Sequence, residues 1–302
     1  MISKTKNAIR YTFYNKLFRF FQRLGITITP NHYYYPIPDV ETLPDELWYE
    51  KSELVGVDLR DETQIKLLND FYTKYKNEYD QIPVTKTEKP GEFYLNNGSY
   101  QFVDACIYYC MIRENKPKRI IEIGAGNSTL LAIKGLLKNQ EETGHLGDLI
   151  SIEPYPNALL KNGILGLSKL YEKKLEDIDT QIFGELESND ILFIDSSHVL
   201  RIGGDVKRIY LDILPKLNKG VLVHIHDVFM PYEYPKEWVY KYLYFWNEQY
   251  VLQSFLTFNN SFEIIWAGNY IKSDYPKKLA EAFTTFDPIS KKVASFWIKK
   301  IL

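Results

Sequence analysis

The chain of 302 residues has only two cysteines, Cys106 and Cys110, four positions apart in a stretch of helical character. A disulfide framework and a cysteine-rich zinc site are therefore not expected, and the two thiols read as small apolar packing groups. No run of eighteen apolar residues occurs, so no segment is long enough to cross a bilayer as a helix. Neither charge is in excess: 37 Lys and Arg stand against 39 Asp and Glu, a net charge of -2, which offers no global attraction to nucleic acid. The start lacks an apolar segment followed by a small-residue cleavage site, and the expected compartment is the cytoplasm. Internal repeats and low-complexity tracts are missing as well.

What the chain has is aromatic side chains, 24 Tyr, 17 Phe and 5 Trp, with 45% hydrophobic and 25% charged residues overall. That balance is globular and excludes wholesale disorder. The near-neutral total is a cancellation. Residues 1–27 carry Lys4, Lys6, Arg10, Lys16, Arg19 and Arg23 and no acid, which leaves 31 basic against 39 acidic residues in the rest. In the same stretch Phe13, Leu17, Phe20, Phe21 and Leu24 recur at helical spacing, which predicts a basic amphipathic helix. Such a helix either lies on an anionic membrane surface or docks its apolar stripe on the protein's own body or on a second copy in a homodimer.

From Pro30 to about Pro90 the text is irregular, with Tyr33, Tyr34, Tyr35, Pro36 and Pro38 followed by a helix expected from Glu62 to about Tyr79. Beyond Phe93 strands and helices alternate. Helices are expected at Tyr100–Asn115, Ser128–Lys138, Asn157–Glu172, Gly204–Leu214 and Trp238–Phe258. Strands are expected at Arg119–Ile123, up to Ile152, Lys174–Ile178, Asp190–Asp195, Val221–Ile225 and Phe262–Ile271. Continuous β-branched strands between helices predict a parallel sheet covered on both faces. The expected organisation is an N-terminal helix and aromatic arm over 1–94, acting as a lid, and an α/β domain over 95–302.

The sharpest motif is Arg119-Ile-Ile-Glu122-Ile-Gly124-Ala-Gly126-Asn-Ser128-Thr129. An apolar strand ends in an acid and two glycines flanking one residue, and Ser128 stands where an N-cap opens the next helix. The glycines serve a tight turn in any case; a dinucleotide fingerprint would need a third Gly where Thr129 stands. The segment resembles the first motif of class I S-adenosylmethionine-dependent methyltransferases. That resemblance implies a doubly wound, Rossmann-like α/β fold of seven strands with the last antiparallel, and S-adenosyl-L-methionine as cofactor.

The resemblance continues in order. Glu153 ends the second strand in Ile-Ser-Ile-Glu-Pro, where the family places an acid on the ribose hydroxyls; Glu176 and Asp177 follow the third strand, where relatives contact adenine; Asp195 closes the fourth, near the transferred methyl. Asn97 and Ser99, in Asn-Asn-Gly-Ser-Tyr, correspond to a loop that touches the methionine end, although a turn and cap explain them equally. The implied cofactor set is therefore Asn97, Ser99, Glu122, Gly124, Gly126, Ser128, Glu153, Asp177 and Asp195. Asp-Ser-Ser-His-Val, Gly203-Gly-Asp-Val and Gly220-Val-Leu-Val-His-Ile-His-Asp227 are similar to the bacterial methyltransferases grouped with cephalosporin hydroxylase and macrocin O-methyltransferase. These act on small molecules or sugars, and several hold a divalent cation on carboxylates after strands four and five.

The same cluster stands out without a family. His198, His224 and His226, three of the chain's five histidines, lie with Asp195 and Asp227 at the ends of two strands expected to be neighbours. Ligands of open α/β sheets bind beyond the carboxyl ends of strands, so Asp195, His198, His226 and Asp227 are the candidate catalytic residues and His224 a core histidine. Two readings stay open. Asp195, Asp227 and His226 hold a divalent metal, or His198 or His226 is a metal-free general base. Val228 after Asp227, and His226 before it, depart from the metal-binding relatives. The expected reaction is O-methylation of a small molecule or saccharide; aminopropyl transfer on the same fold and a non-enzymatic cofactor-binding protein are the alternatives. Phe229, Met230, Tyr232, Tyr234, Trp238, Trp266, Asn269 and Tyr270 are expected to form an aromatic wall for the substrate.

Overall fold

The structure is a computed structural model that describes residues 14–302; the first thirteen residues of the expected basic helix lie outside it. The chain divides into two compact units. One contains the chain up to Leu47 with Pro235–Phe245, and the other Trp48–Tyr234 with Trp246–Leu302.

In the smaller unit residues 14–23 form helix α1, the described part of the expected amphipathic helix. Short 3-10 turns follow at Val40–Thr42 and Asp45–Trp48, the second running into the larger unit. Helix α7, Lys236–Tyr240, also belongs to the smaller unit.

The larger unit contains helix α2 (Asp61–Tyr79), α3 (Phe102–Asn115), strand β1 (Arg119–Ile123), α4 (Asn127–Thr143), β2 (Asp148–Ile152), α5 (Ala158–Lys161), β3 (Lys169–Tyr171), β4 (Ile191–Ile194), α6 (Asp205–Arg208), β5 (Leu222–Ile225), α8 (Glu248–Leu256), β6 (Phe262–Ala267), α9 (Gly268–Asp274), α10 (Pro276–Ala282) and β7 (Phe296–Lys300). The sheet order is β3-β2-β1-β4-β5-β7-β6. Pairing is parallel from β3 to β5, and β7 is antiparallel to both neighbours, β5 and β6. This is the seven-stranded, Rossmann-like α/β sheet of methyltransferases with its last strand reversed, as the resemblance implied.

Burial explains the strands. All four residues of β4 and of β5 are buried, as are four of the five in β1, because helices cover both faces of the parallel part. Trp266, Trp297, Tyr108 and Phe193 are among the largest side chains in the core. Helix α3 is buried nearly all round, which suits a helix packed against α4 and α2 with Tyr108 against Phe193 and Trp297 of the sheet.

Four expected elements differ most. The helix at 157–172 shrinks to α5 because Gly163 and Gly166 adopt left-handed φ of 81° and 98°, and the third strand is β3 at 169–171 rather than 174–178. The helix at 204–214 begins as α6 but widens into a π turn at Ile209–Ile213 and closes in a 3-10 turn containing Pro215, which has no amide to continue it. The single helix expected at 238–258 is two helices, α7 and α8, interrupted near Leu243, whose φ is 55°.

Candidate active site

The site starts where parallel strands end. Gly124 follows β1 with φ 86°, and its amide donates to the Ile152 carbonyl of β2 at 2.9 Å. On the other side the Asp195 amide donates to the Ile123 carbonyl at 2.8 Å. A Cβ on Gly124 would stand 2.0 Å from the Asp195 carbonyl oxygen, so both the backbone sign and the close approach require glycine there. A Cβ on Gly126 would meet no protein atom within 4 Å, so the space over the turn is open to a ligand.

Gly126, not Ser128, is the N-cap residue of α4. Ser128 and Thr129 turn inward instead and donate to the two oxygens of Glu122 at 2.6 and 2.7 Å, and Ser151 of β2 donates at 2.7 Å. The Gly126 amide donates to Thr129 Oγ1 at 3.0 Å. Glu122 is wholly buried, and that burial outweighs the three hydroxyl donors and pushes its carboxyl up to about 7. Glu122 and Ser128 thus brace the glycine turn from behind.

Glu153 is half-buried at the end of β2. Its oxygens accept from the Ala125 amide at 3.2 Å and the Tyr155 amide at 2.7 Å, which fixes the carboxylate beside the turn with lone pairs to spare. Asn97 organises its own loop, accepting from the Ser99 and Tyr100 amides, and Ser99 Oγ accepts from Asn127 at 2.8 Å at the start of α4. The structure therefore brings Ser99, Gly124, Gly126 and Glu153 to one turn. Asp177 is exposed at the end of the 3-10 turn Leu175–Asp177, and no hydrogen bond links it to that group among the described residues.

The second cluster lies after β4 and β5. Ser197 is pinned by Asp205, which accepts from its amide at 2.8 Å and its hydroxyl at 2.6 Å; His198 follows with a left-handed φ of 58°. The amides of Asn247, which caps α8, and of Glu248, its first residue, donate to the His198 carbonyl at 3.0 and 3.1 Å. The imidazole is 4% exposed, with Nε2 3.2 Å from Asp195 Oδ1, Nδ1 2.9 Å from Glu248 Oε2, and the Trp246 ring 4.3 Å away. Burial opposes a charge on His198, but Asp195 and Glu248 prevail and hold its pKa well above the usual value. Burial likewise opposes the Asp195 carboxylate, and His226 and His198 hold it well below the usual range.

After β5 the His226 amide donates to the Ile194 carbonyl at 2.9 Å, and Asp227, at φ 56°, turns its carboxylate toward the same space. His226 is 3% exposed and 3.7 Å from Asp104, Asp195 and Asp227 alike; burial disfavours its charge, yet Asp227, Asp195 and Asp104 raise its pKa to about 10. Asp227 Oδ1 also accepts from Lys292 Nζ at 2.8 Å. His224 is wholly buried, its ring 4.2 Å from Phe193 and 4.8 Å from Trp297, and burial drives its pKa well below the usual value. It is a core histidine.

Ligand atoms of Asp195, His198 and Asp227 all lie within 4.8 Å of one another, a spacing a divalent cation can bridge. The metal set expected from sequence contained His226; the geometry selects His198. Asp104 of α3, Glu248 of α8 and Lys292 before β7 are the buried or bridging partners that sequence reasoning missed. Each is 50 or more positions from its partner in the chain, and only Asp104, an acid inside the otherwise apolar run Phe102–Ile112, carries a local signal. The expected aromatic wall is mostly core. Phe229, Met230, Tyr234 and Trp266 are buried, Asn269 donates to the Phe229 carbonyl, Tyr270 donates to Asp61, and Trp238 belongs to the smaller unit. Among the described residues Trp246 reaches the site beside His198, and the Tyr100 ring lies 5.0 Å from His226.

A seven-stranded sheet with β7 reversed, a glycine turn braced by a buried acid, and carboxylates at the ends of β2, β4 and β5 define a class I methyltransferase domain. Residues 121–228 match the family model described as a methyltransferase domain. A protein of Archaeoglobus fulgidus, described as uncharacterized, is 30% identical over 177 residues, which cover 56% of this chain and 78% of that one. The chain belongs to this methyltransferase-domain family. Among solved structures it is similar to a chain from Plasmodium falciparum described as a protein-L-isoaspartate O-methyltransferase in complex with S-adenosyl-L-homocysteine. That likeness has a TM-score of 0.31 and 12% identity and covers 54% of this chain and 83% of that one. No helix among the described residues is long and apolar enough to cross a membrane.

Proposed function

We propose that the protein transfers the methyl group of S-adenosylmethionine to a hydroxyl of a small molecule or saccharide. The observation that carries this reading is the convergence of two sites at the carboxyl ends of neighbouring parallel strands. The Gly124–Gly126 turn with Glu153 fits a cofactor, and Asp195 adjoins it through Gly124 while reaching His198 and Asp227. The open face of Gly126 and the fixed carboxylate of Glu153 suit a ribose whose two hydroxyls donate to one acid. When bound, the cofactor supplies a methyl group already activated on a sulfonium.

The chain's own part is to orient the acceptor hydroxyl and take its proton. As the O–CH₃ bond forms and the S–CH₃ bond breaks, the deprotonated fraction of His198 takes that proton at Nε2; because Asp195 and Glu248 hold its pKa above the usual value, this fraction rises with pH, and Glu248 accepts from Nδ1–H and fixes the tautomer. Such a positioned base contributes roughly 10² to 10⁴ in rate. The Trp246 ring over His198 offers a flat apolar face to a sugar or aromatic acceptor.

Asp195, His198 and Asp227 fit a divalent cation as donors, but Lys292 already neutralises Asp227, which favours the metal-free reading. A chelator added to the methyl-transfer reaction is expected to leave its rate unchanged.

The test is calorimetric titration of S-adenosylmethionine into the protein and into Glu153→Ala, followed by a metabolite screen with methyl-labelled cofactor. Loss of a charged acceptor of two hydroxyls is expected to weaken binding roughly 10- to 100-fold. No binding by the folded protein, or equal binding by the variant, would overturn the reading.

A further inference from the structure

The basic N-terminal end has no role in the chemistry above. Its sequence carries no acid before Asp39. In α1, at 100° per residue, Lys16, Arg19 and Arg23 fall within one narrow arc, Leu17, Phe18 and Phe21 fall opposite, and Phe20 and Leu24 lie between the two.

The helix ends in a closed motif. Gly25 has φ 78°, its amide donates to the Gln22 carbonyl at 3.1 Å, and the Ile26 amide donates to the Phe21 carbonyl at 3.0 Å. These two bonds are the 5→2 and 6→1 pair that turns the following residue back onto the last apolar turn. Ile26 therefore continues the apolar side of the helix.

That side is open. Leu17, Phe18 and Phe21 are half-buried, but Phe20 is 58% exposed, Leu24 60%, Ile26 51% and Ile28 45%. Four large apolar side chains within nine residues, beside a cationic stripe, exceed the scattered single exposures of an ordinary surface. Tyr33 and Tyr34, each at least 80% exposed, add amphipathic rings of the kind enriched at membrane interfaces.

We infer that this end docks on the surface of an anionic lipid bilayer, with Phe20, Leu24, Ile26 and Ile28 entering the headgroup boundary and Lys16, Arg19 and Arg23 facing the lipid charge. Charge complementarity selects this occupant over the matching end of a second copy, which carries the same positive charge and no acid. With no described helix able to span a bilayer, the contact is interfacial.

The experiment is sedimentation of the full chain with vesicles of phosphatidylcholine alone and of phosphatidylcholine with phosphatidylserine. Binding is expected with phosphatidylserine, weak with phosphatidylcholine alone, and reduced by salt. R19E with R23E is expected to bind about 30-fold more weakly, and Phe20→Ser with Leu24→Ser at least about 10-fold more weakly. All four positions are exposed, and circular dichroism melts matching the parent would establish that the variants remain folded. Equal binding to both vesicle types, no sedimentation with either, or undiminished binding by both folded double variants would overturn the inference. So would lipid-free self-association that these substitutions abolish, since it would make a second copy the occupant.

Discussion

Replacing Glu122 by Gln tests how the glycine turn is held. Glu122 is wholly buried at the end of β1, and its carboxyl is pushed from 4.5 to about 7. The unfolded chain therefore releases this proton well before the folded one does. Between those values the folded state binds more protons than the unfolded state, so the contribution of Glu122 to stability falls as pH rises from 4.5 through about 7. At about 1.4 kcal/mol per pH unit, the full cost above pH 7 is about 3 kcal/mol. Gln keeps an acceptor for the hydroxyls of Ser128, Thr129 and Ser151 and has no charge to bury. Urea unfolding of the two proteins across this range is expected to show similar midpoints near the acid end and E122Q more stable by about 3 kcal/mol above neutrality. A wild type that gains stability relative to E122Q as pH rises would refute the reasoning, because it would mean that the three hydroxyl donors stabilise an ionised carboxylate by more than burial costs it.

Gly124→Ala places a methyl against the Asp195 carbonyl at a backbone φ that side chains resist, and a stability loss of roughly 3 kcal/mol is expected; an unchanged thermal melt would show that the two strand ends are not held at this distance. Glu248→Ala leaves a buried imidazole without its Nδ1 partner, and a loss of about 3 kcal/mol is expected in chemical denaturation, with E248Q losing less because it retains an acceptor. Equal losses in the two variants would deny Glu248 that role.

The parallel half of the sheet was legible because its strands are buried on both faces and carry that burial in their own residues. Arg119–Ile123 matches β1 end for end, and Ile-Leu-Phe-Ile of β4 is fully apolar. The glycine turn was legible because Gly124 answers a steric demand no other residue meets as well. Element ends governed by single backbone angles were not: Gly163, Gly166 and Leu243 break helices whose apolar period continues past them. The last strand was expected at Phe262–Ile271, where the structure has β6 to Ala267 and then α9, and β7 was not anticipated, since Phe-Trp-Ile-Lys-Lys mixes apolar and basic residues and follows an irregular loop. In the site, Asp195, His198 and Asp227 were legible as strand-end residues. Glu248 and Lys292 were not, because what gives them a role is tertiary proximity, and an acid opening a helix or a lysine in a loop is otherwise ordinary surface.

The place of β7 bears on how the molecule folds. Strands β3, β2, β1, β4 and β5 can pair as soon as residue 225 has been made, whereas β6 pairs only with β7 among the described residues and must wait for residues 296–300. Until then β5 is an edge strand, with bare amides and carbonyls along its outer side and a tendency to recruit the wrong neighbour. Arrival of β7 covers that edge. The same event brings Lys292 to Asp227 and the Ala294 and Ser295 amides to Asp104, so strand closure and assembly of the acidic cluster are one late kinetic step. A chain stalled before it would expose the β5 edge and lack both Lys292 on Asp227 and the two amides on Asp104, leaving an uncompensated acidic cluster beside an edge prone to aggregate.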